Sequence, residues 1–273
     1  MSDKILLIND LPGYGKVALA AMIPVLSHMG FDLYNLPTAL ISNTFDYGKF
    51  EVLETTEYMK NTISVWKELG FNFDGISTGF IMSEEQVRLV ADYCQEQSQK
   101  GTIVFVDPIM GDDGKLYNGV TNQTIEYMRQ LCSVADYILP NYTEAAFLAG
   151  VDIKNEGISL EEGYELIDRL RELGSKSIVI TSVNLKDNTA VLGYDSKEDT
   201  YFSLSFEYVA VRFPGTGDVF SSVMMGKVLL GAPLQDSVQK AMDYVKDIII
   251  LSKDNVDKFK GIPIEAWLDK MDI

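Results

Sequence analysis

Residues 136–149, Asp136-Tyr-Ile-Leu-Pro-Asn-Tyr-Thr-Glu-Ala-Ala-Phe-Leu-Ala149, hold the repeating unit of this chain. A strand-like run at 136–139, apolar from Tyr137 to Leu139 and too short for a helix, meets Pro140-Asn141, and an apolar helical segment at 142–149 follows at once. Asn141 with Glu144 three residues later is a capping box, which satisfies the free N–H groups of a starting helix. The stretch therefore predicts a buried strand that delivers the chain directly into a helix.

The same pattern extends in both directions. Strands are predicted at 4–9, 33–42 (interrupted by Pro37), 75–78, 102–106 and 177–180. Helices are predicted at 17–29, 54–69, from 84 after a Ser83–Gln86 cap, at 122–132, and from 160 to about 173 after a Ser159–Glu162 cap. Residues 190–194 and 200–206 read as a hairpin across a polar turn, and helices follow Asp218, span 234–251, and close the chain near 264–270. Regular alternation of this kind predicts an α/β three-layer sandwich, a mostly parallel central sheet flanked by helices. No repeat, low-complexity tract or linker divides the chain, so one domain over 1–273 is expected, with the polar stretch 43–51 as a candidate lid.

Composition removes several function classes. At 273 residues, 47% of them hydrophobic, the chain is long enough for one large globular domain. A net charge of −17 argues against nucleic acid as a partner, because phosphate contacts need clustered Lys and Arg. The first apolar run, 5–8, is neither a signal peptide nor a membrane span, and a cytoplasmic location is expected. Cys94 and Cys132 have no ligand spacing, and the single histidine, His28, lies in a helical stretch among apolar neighbours. Chemistry must then rest on carboxylates, hydroxyls, backbone amides and a bound metal ion.

Arg212-Phe-Pro-Gly-Thr-Gly-Asp218 runs into the apolar helix that begins Val219-Phe220. Free N–H groups and the helix dipole make such an end attractive to an anion, so a carboxylate there needs a reason. Asp218 either caps the helix or takes a proton from a hydroxyl that attacks a phosphoryl group held by the glycines. In open α/β sheets ligands bind beyond the carboxyl ends of the strands. The residues that follow the predicted strands are Asp10, Thr78-Gly79, Asp107-Pro108, Pro140-Asn141 and Thr181-Ser182. Asp107 and Glu144 offer the oxygen ligands that Mg²⁺ prefers, directly or through water. Gly13-Tyr-Gly15 matches a dinucleotide fingerprint in form, yet Asp32 precedes the second strand instead of ending it. Gly15-Lys16 lacks the Ser or Thr of a P-loop.

Asp107-Pro-Ile-Met-Gly-Asp-Asp-Gly-Lys-Leu-Tyr117, Pro140-Asn-Tyr-Thr-Glu144, Ile180-Thr-Ser182 and Pro214-Gly-Thr-Gly-Asp218 occur in that order, with Ser42-Asn43, Tyr47-Gly48 and Thr78-Gly79-Phe80 before them. Together they resemble the ribokinase-like superfamily, and most closely its pyridoxal kinases, over nearly the whole chain. The resemblance implies an ATP-dependent kinase that phosphorylates the 5′-hydroxymethyl group of a vitamin B6 vitamer. It implies Asp218 as base, with the backbone of Gly215, Thr216 and Gly217 around the γ-phosphate. Asn141 and Glu144 would organise Mg²⁺ and phosphates near Asp107 and Asp112, while Thr181, Ser182 and Tyr117 would contact the nucleotide. Asp10, Thr38 and Phe80 would face the pyridine ring, and the loop carrying Tyr47 would close over it. Homodimers are common in the family, and K⁺ assists many members.

Two positions depart from the family pattern. Members often carry Ser where this chain has Asp10, and Tyr where it has Phe80. An Asp at position 10 would prefer a protonated ring nitrogen or an amine-bearing acceptor. The alternative closest in chemistry is hydroxymethylpyrimidine, the thiamine precursor, which also presents a primary alcohol. A dinucleotide-dependent oxidoreductase and a non-catalytic B6 carrier are the alternatives from other classes.

Overall fold

Ile5, Leu6, Leu7 and Ile8 are completely buried in strand β1 (Lys4–Pro12), as expected of a parallel strand covered on both faces. In the computed structural model, which describes residues 3–117 and 120–271, β1 is followed by α1 (Ala18–His28), β2 (Asp32–Ile41), β3 (Val52–Glu54), α2 (Thr56–Glu68) and β4 (Gly75–Thr78). Next come α3 (Glu84–Ser98), β5 (Ile103–Val106), β6 (Gly111–Asp112), β7 (Lys115–Leu116), α4 (Asn122–Cys132), β8 (Tyr137–Ile138) and α5 (Tyr142–Ala149). The last elements are α6 (Leu160–Arg171), β9 (Ser177–Asn184), β10 (Thr189–Asp195), β11 (Thr200–Phe206), α7 (Thr216–Leu229) and α8 (Leu234–Ser252). The chain forms two compact units, Met1–Met82 with Val209–Ile273, and Ser83–Tyr208.

In the first unit the strand order is β4-β1-β2-β3, with β1 parallel to β4 and β2, and β3 antiparallel at the edge. Asn9 pairs with Pro37 but Leu11 pairs with Leu40, so Thr38 and Ala39 share the place opposite Asp10. This bulge in β2 is where a proline can sit inside a sheet. Helix α1 packs on β1 and on α7, and α7 packs on α8. Helix α7 is apolar nearly all round and buries Val219, Phe220, Val223, Met224 and Met225, which marks it as an interior helix.

In the second unit the order is β11-β10-β9-β8-β5, with β5, β8 and β9 parallel and the last two strands antiparallel. Ala190 pairs with Val183 and Leu192 with Ile180, leaving Thr181 and Ser182 opposite Val191 in a second bulge. Ser182 adopts φ 57° there. The α/β class expected from the alternation, a mostly parallel sheet flanked by helices, is the one observed.

The predicted caps form: Ser83 Oγ accepts from the Gln86 N–H at 3.4 Å, and Ser159 and Glu162 make a reciprocal box at 2.7 and 3.2 Å. Three short strands were not expected: β3, β6 and β7. The segment 264–270 forms two 3₁₀ turns, Ile264–Ala266 and Leu268–Lys270, instead of one α-helix, because Trp267 between them leaves helical geometry at φ −122°. His28 ends α1 and is exposed. Cys94 and Cys132 are unpaired and buried, and burial pushes the Cys94 thiol up to about 12, which leaves it inert at neutral pH. No helix among the described residues is long and apolar enough to cross a membrane.

The hairpin of β10 and β11 carries a sharp packing constraint. Gly193 pairs with Phe202, and a Cβ at position 193 would lie 2.1 Å from the Phe202 ring. Gly193→Ala is expected to lower stability by about 1–3 kcal/mol, the usual cost of overpacking. The urea midpoint reads it, and Phe202→Leu in the same chain should recover part of the loss.

Candidate active site

The first unit gathers Asp10, Thr38, Phe80 and Asp218 around the end of β1. Asp218 stands in the first turn of α7, whose cap, Gly215, has φ 85°. A Cβ on Gly215 would lie 2.0 Å from the Lys16 carbonyl, so glycine is required both by the turn and by this close approach. The glycine and the absence of a side-chain cap leave the amides at this helix start uncovered by any capping side chain. Asp218 is held from outside its own helix: its Oδ2 accepts from the Ala18 N–H at 2.8 Å and its Oδ1 from Asn9 Nδ2 at 3.4 Å. Burial pushes the Asp218 carboxyl up to about 6, opposed by these two donors and by its own backbone N–H. Ala18 makes its bond with φ 47°, the left-handed region that a non-glycine residue rarely enters.

Asp10 is 7% exposed, and burial first, then the charge of Asp218, pushes its carboxyl up to about 7. Thr38 Oγ1 donates to the Phe80 carbonyl at 2.7 Å, and the Phe80 N–H donates to Asn9 Oδ1 at 2.8 Å. The Thr78 hydroxyl, at the carboxyl end of β4, is buried and finds no hydrogen-bond partner among the described residues. Tyr47 lies apart from this network. Its hydroxyl donates to Asp257 at 2.6 Å and its ring packs on Phe259 and Tyr14, while Phe45 of the same loop meets the Phe80 ring at 6.0 Å. Lys16 forms an ion pair with Glu265.

The second unit gathers the other expected residues around Glu144. Asn141 and Glu144 make the predicted capping box: Asn141 Oδ1 accepts from the Glu144 N–H, and Glu144 Oε2 accepts from the Asn141 N–H, both at 2.9 Å. Glu144 Oε1 also accepts from the Met110 N–H at 3.0 Å and the Gly111 N–H at 3.5 Å. Asn141 Nδ2 returns a bond to the Gly111 carbonyl at 2.8 Å. The loop after β5, which carries Asp107 and Asp112, is thus stapled to the start of α5. Burial pushes the Glu144 carboxyl up to about 8 against the pull of these amides, with the charge of Asp112 adding to it. Tyr117 joins through its N–H to the Met110 carbonyl at 3.0 Å, and Thr181 bridges to Asn141 beside the β9 bulge that holds Ser182. Asp113-Gly114 forms the tight turn between β6 and β7, with φ 50° and 77°.

Two members of these networks lay outside the residues expected from sequence. Asn9 is 2% exposed and bonds to Asp218 and Phe80 as well as to the Asp10 N–H. Its only signal was a polar residue closing an apolar strand one place before Asp10. Ala18 gave no signal, since only the fold sets its backbone angle.

A profile of the family described as phosphomethylpyrimidine kinase matches residues 25–262. The pyridoxal kinase of Dictyostelium discoideum is 27% identical over 243 residues, covering 83% of this chain and 78% of that protein. The hydroxymethylpyrimidine/phosphomethylpyrimidine kinase of Aquifex aeolicus (strain VF5) is 28% identical over 187 residues, covering 67% and 69%. A crystal structure from Bacteroides thetaiotaomicron VPI-5482, described as a phosphomethylpyrimidine kinase, has a TM-score of 0.95 at 34% identity and covers 100% of this chain and 94% of that one. Its orthorhombic form, the form with pyridoxal, has a TM-score of 0.94 at 33% identity, covering 100% and 96%. The narrower resemblance to pyridoxal kinases is divided by these matches, since the family profile and the Bacteroides protein carry the pyrimidine-kinase description. The match spans most of the chain, and the protein belongs to the phosphomethylpyrimidine kinase family: it is a ribokinase-like phosphotransferase acting on an alcohol group.

Proposed function

We propose that this chain transfers the γ-phosphoryl group of ATP to the hydroxymethyl group of a small nitrogen heteroaromatic ring, with hydroxymethylpyrimidine as the preferred acceptor. Asp10 is the observation that carries the choice of ring. Its carboxyl is buried and titrates at about 7. Such a group can donate one O–H and accept one N–H at neutral pH. The aminopyrimidine edge offers the complementary pair, a ring nitrogen beside an amino group. In a B6 vitamer the ring nitrogen and ring hydroxyl are separated by a methyl-bearing carbon, so one carboxyl cannot pair with both in this way. The B6 reading stands second, supported by the pyridoxal form of the Bacteroides relative and by the Dictyostelium relative.

In this proposal the first unit holds the alcohol and the base. The acceptor hydroxyl attacks the γ-phosphorus, its proton passes to Asp218, and the bond from the γ-phosphorus to the bridging oxygen breaks, its electron pair leaving on ADP. The amides of Gly215, Thr216 and Gly217 bind the transferring phosphoryl oxygens. Thr38 and Phe80 border the ring, the Thr78 hydroxyl offers it a further polar contact, and residues 43–51 with Tyr47 cover it. The second unit holds the nucleotide through Asn141, Asp112, Tyr117, Thr181 and Ser182.

Asp107 and Glu144 would supply oxygen ligands of the kind Mg²⁺ takes, and since no three acidic, His or Cys side chains among the described residues cluster to hold an ion, phosphate oxygens and water would complete its shell. Glu144 already accepts backbone N–H groups on both oxygens, so it suits contact through water better than direct ligation. Bound there, Mg²⁺ would offset the charge of the phosphates. A homodimeric state and assistance by K⁺, which the family resemblance implies, and a cytoplasmic location, expected from the sequence, belong to the same proposal.

Asp218→Asn is expected to lower kcat by about two to four orders of magnitude, as for loss of a general base, while KM for ATP changes much less. A coupled assay of ADP release measures this, and near wild-type turnover would remove Asp218 from its role. The base acts deprotonated and its carboxyl titrates at about 6, so kcat/KM should fall as pH drops through that value. In a panel of acceptors, hydroxymethylpyrimidine should give a higher kcat/KM than pyridoxal or pyridoxamine, and Asp10→Ser should narrow or invert the ratio. Pyridoxal ranking first in the wild-type protein would transfer the assignment to B6.

A further inference from the structure

Asn9 has its amide oxygen fully used. Oδ1 accepts from the Asp10 N–H at 3.0 Å and from the Phe80 N–H at 2.8 Å. The amide orientation follows from these two donors, because a flipped side chain would aim its NH₂ at both of them. The NH₂ group is therefore directed at Asp218 Oδ1, 3.4 Å away, with Met22 Sδ at 3.5 Å on its other side. The backbone closes over it as well, since a Cβ on Gly79 would lie 2.4 Å from Asn9 Nδ2. One buried amide thus touches the strand end that carries Asp10, the loop that carries Phe80 and the carboxylate of α7.

We infer that Asn9 is a positioning residue that aims the Asp218 carboxylate and ties it to the acceptor-side backbone of Asp10 and Phe80. The inference rests on the kinase reading for its catalytic meaning, though not for its geometry. Few other side chains fit. Asp lacks the donor, Ser is too short to span three groups, and Gln adds a methylene where Gly79 leaves no room. The groups the structure sets against Asp218 are the Ala18 N–H of α1, Asn9 and Asp10 of β1, and its own backbone N–H. A donor on a carboxylate favours its charged form, whereas burial opposes it. Removing the Asn9 donor must therefore move the Asp218 titration upward, and the active deprotonated form is lost at a higher pH.

Asn9→Leu is the discriminating variant, because it removes the donor to Asp218 with no charge added beside it, and Asn9→Asp, whose carboxylate still accepts from the Asp10 and Phe80 N–H groups, is the second variant, expected to move the titration further. The expected result is an acidic limb of kcat displaced upward by about one pH unit or more, equivalent to about a tenfold loss at the acid end. Activity should recover toward pH 8, with KM for ATP changed less than about twofold. The ¹³C titration of the Asp218 carboxyl, assigned with Asp218→Asn, should move in the same direction and needs no turnover. A lowered melting temperature with both titrations unmoved would overturn the inference and leave Asn9 a structural residue. Should the wild-type protein phosphorylate no alcohol, the kinase reading fails, and the carboxyl titration still decides whether Asn9 governs Asp218.

Discussion

A helix N-terminus that is to receive an anion cannot also use its own carboxylate as a cap. The hydrogen bond from the Ala18 N–H to Asp218 eases that conflict, since it ties the carboxylate to α1 and leaves its own backbone N–H as the amide of α7 that also acts on it. It has a conformational cost, because Ala18 reaches it only at φ 47°. A non-glycine residue in that region costs roughly 1–2 kcal/mol, while a hydrogen bond to a charged group contributes about 1.5–3 kcal/mol. The bond can thus offset the strain but leaves little surplus, which is the pattern of a position kept for orientation more than for stability. Gly215 completes the arrangement, because the Lys16 carbonyl fills the space any side chain there would need.

The second unit applies the same device to a different carboxylate. Glu144 is buried and pinned by the N–H groups of Met110, Gly111 and Asn141, much as Asp218 is pinned by Ala18 and Asn9. In each case burial raises the carboxyl and donors lower it. With Asp10 included, the chain holds carboxyl groups titrating at about 6, 7 and 8. Such groups are costly, and structural ion pairing does not explain them, since the causes are burial and neighbouring carboxylates. They gather where a chain handles protons or multivalent charge.

Much of this was legible because it rests on local rules. The capping box at Asn141 and Glu144 could be read from two letters, and so could Asp107 directly after β5, whereas Asp10 and Thr181, expected just past their strands, lie inside β1 and β9, which run on to Pro12 and Asn184. The Gly-Thr-Gly-Asp turn announced its anion-binding geometry by its glycines. The rest depends on neighbours remote in sequence. Asn9 and Asp218 are 209 positions apart, and nothing near either residue predicts the bond. The β2 bulge that brings Thr38 opposite Asp10 appeared only as an awkward Pro37, and the β9 bulge at Thr181 and Ser182 had no marker. The terminal 264–270 segment was misread for the opposite reason, since its local apolar pattern suits a helix that the backbone at Trp267 does not continue.

The two kinds of constraint also explain why the phosphoryl-transfer chemistry is easier to assign than the acceptor. Gly215 and the Ala18 bond are fixed by backbone atoms, and any side chain at 215 would collide with the Lys16 carbonyl. The turn before α7 therefore cannot drift without rebuilding α1 and α7. The positions proposed to face the ring are side chains on a fixed backbone: Asp10 can be exchanged for Ser, or Phe80 for Tyr, while the Asn9 hydrogen bonds that hold the two segments run to their backbone N–H groups. On the proposed reading, acceptor preference can change one residue at a time while the backbone around Gly215 and Ala18 stays as it is. A carboxyl at position 10 that titrates near neutrality is then informative, since the frame would hold equally well without it.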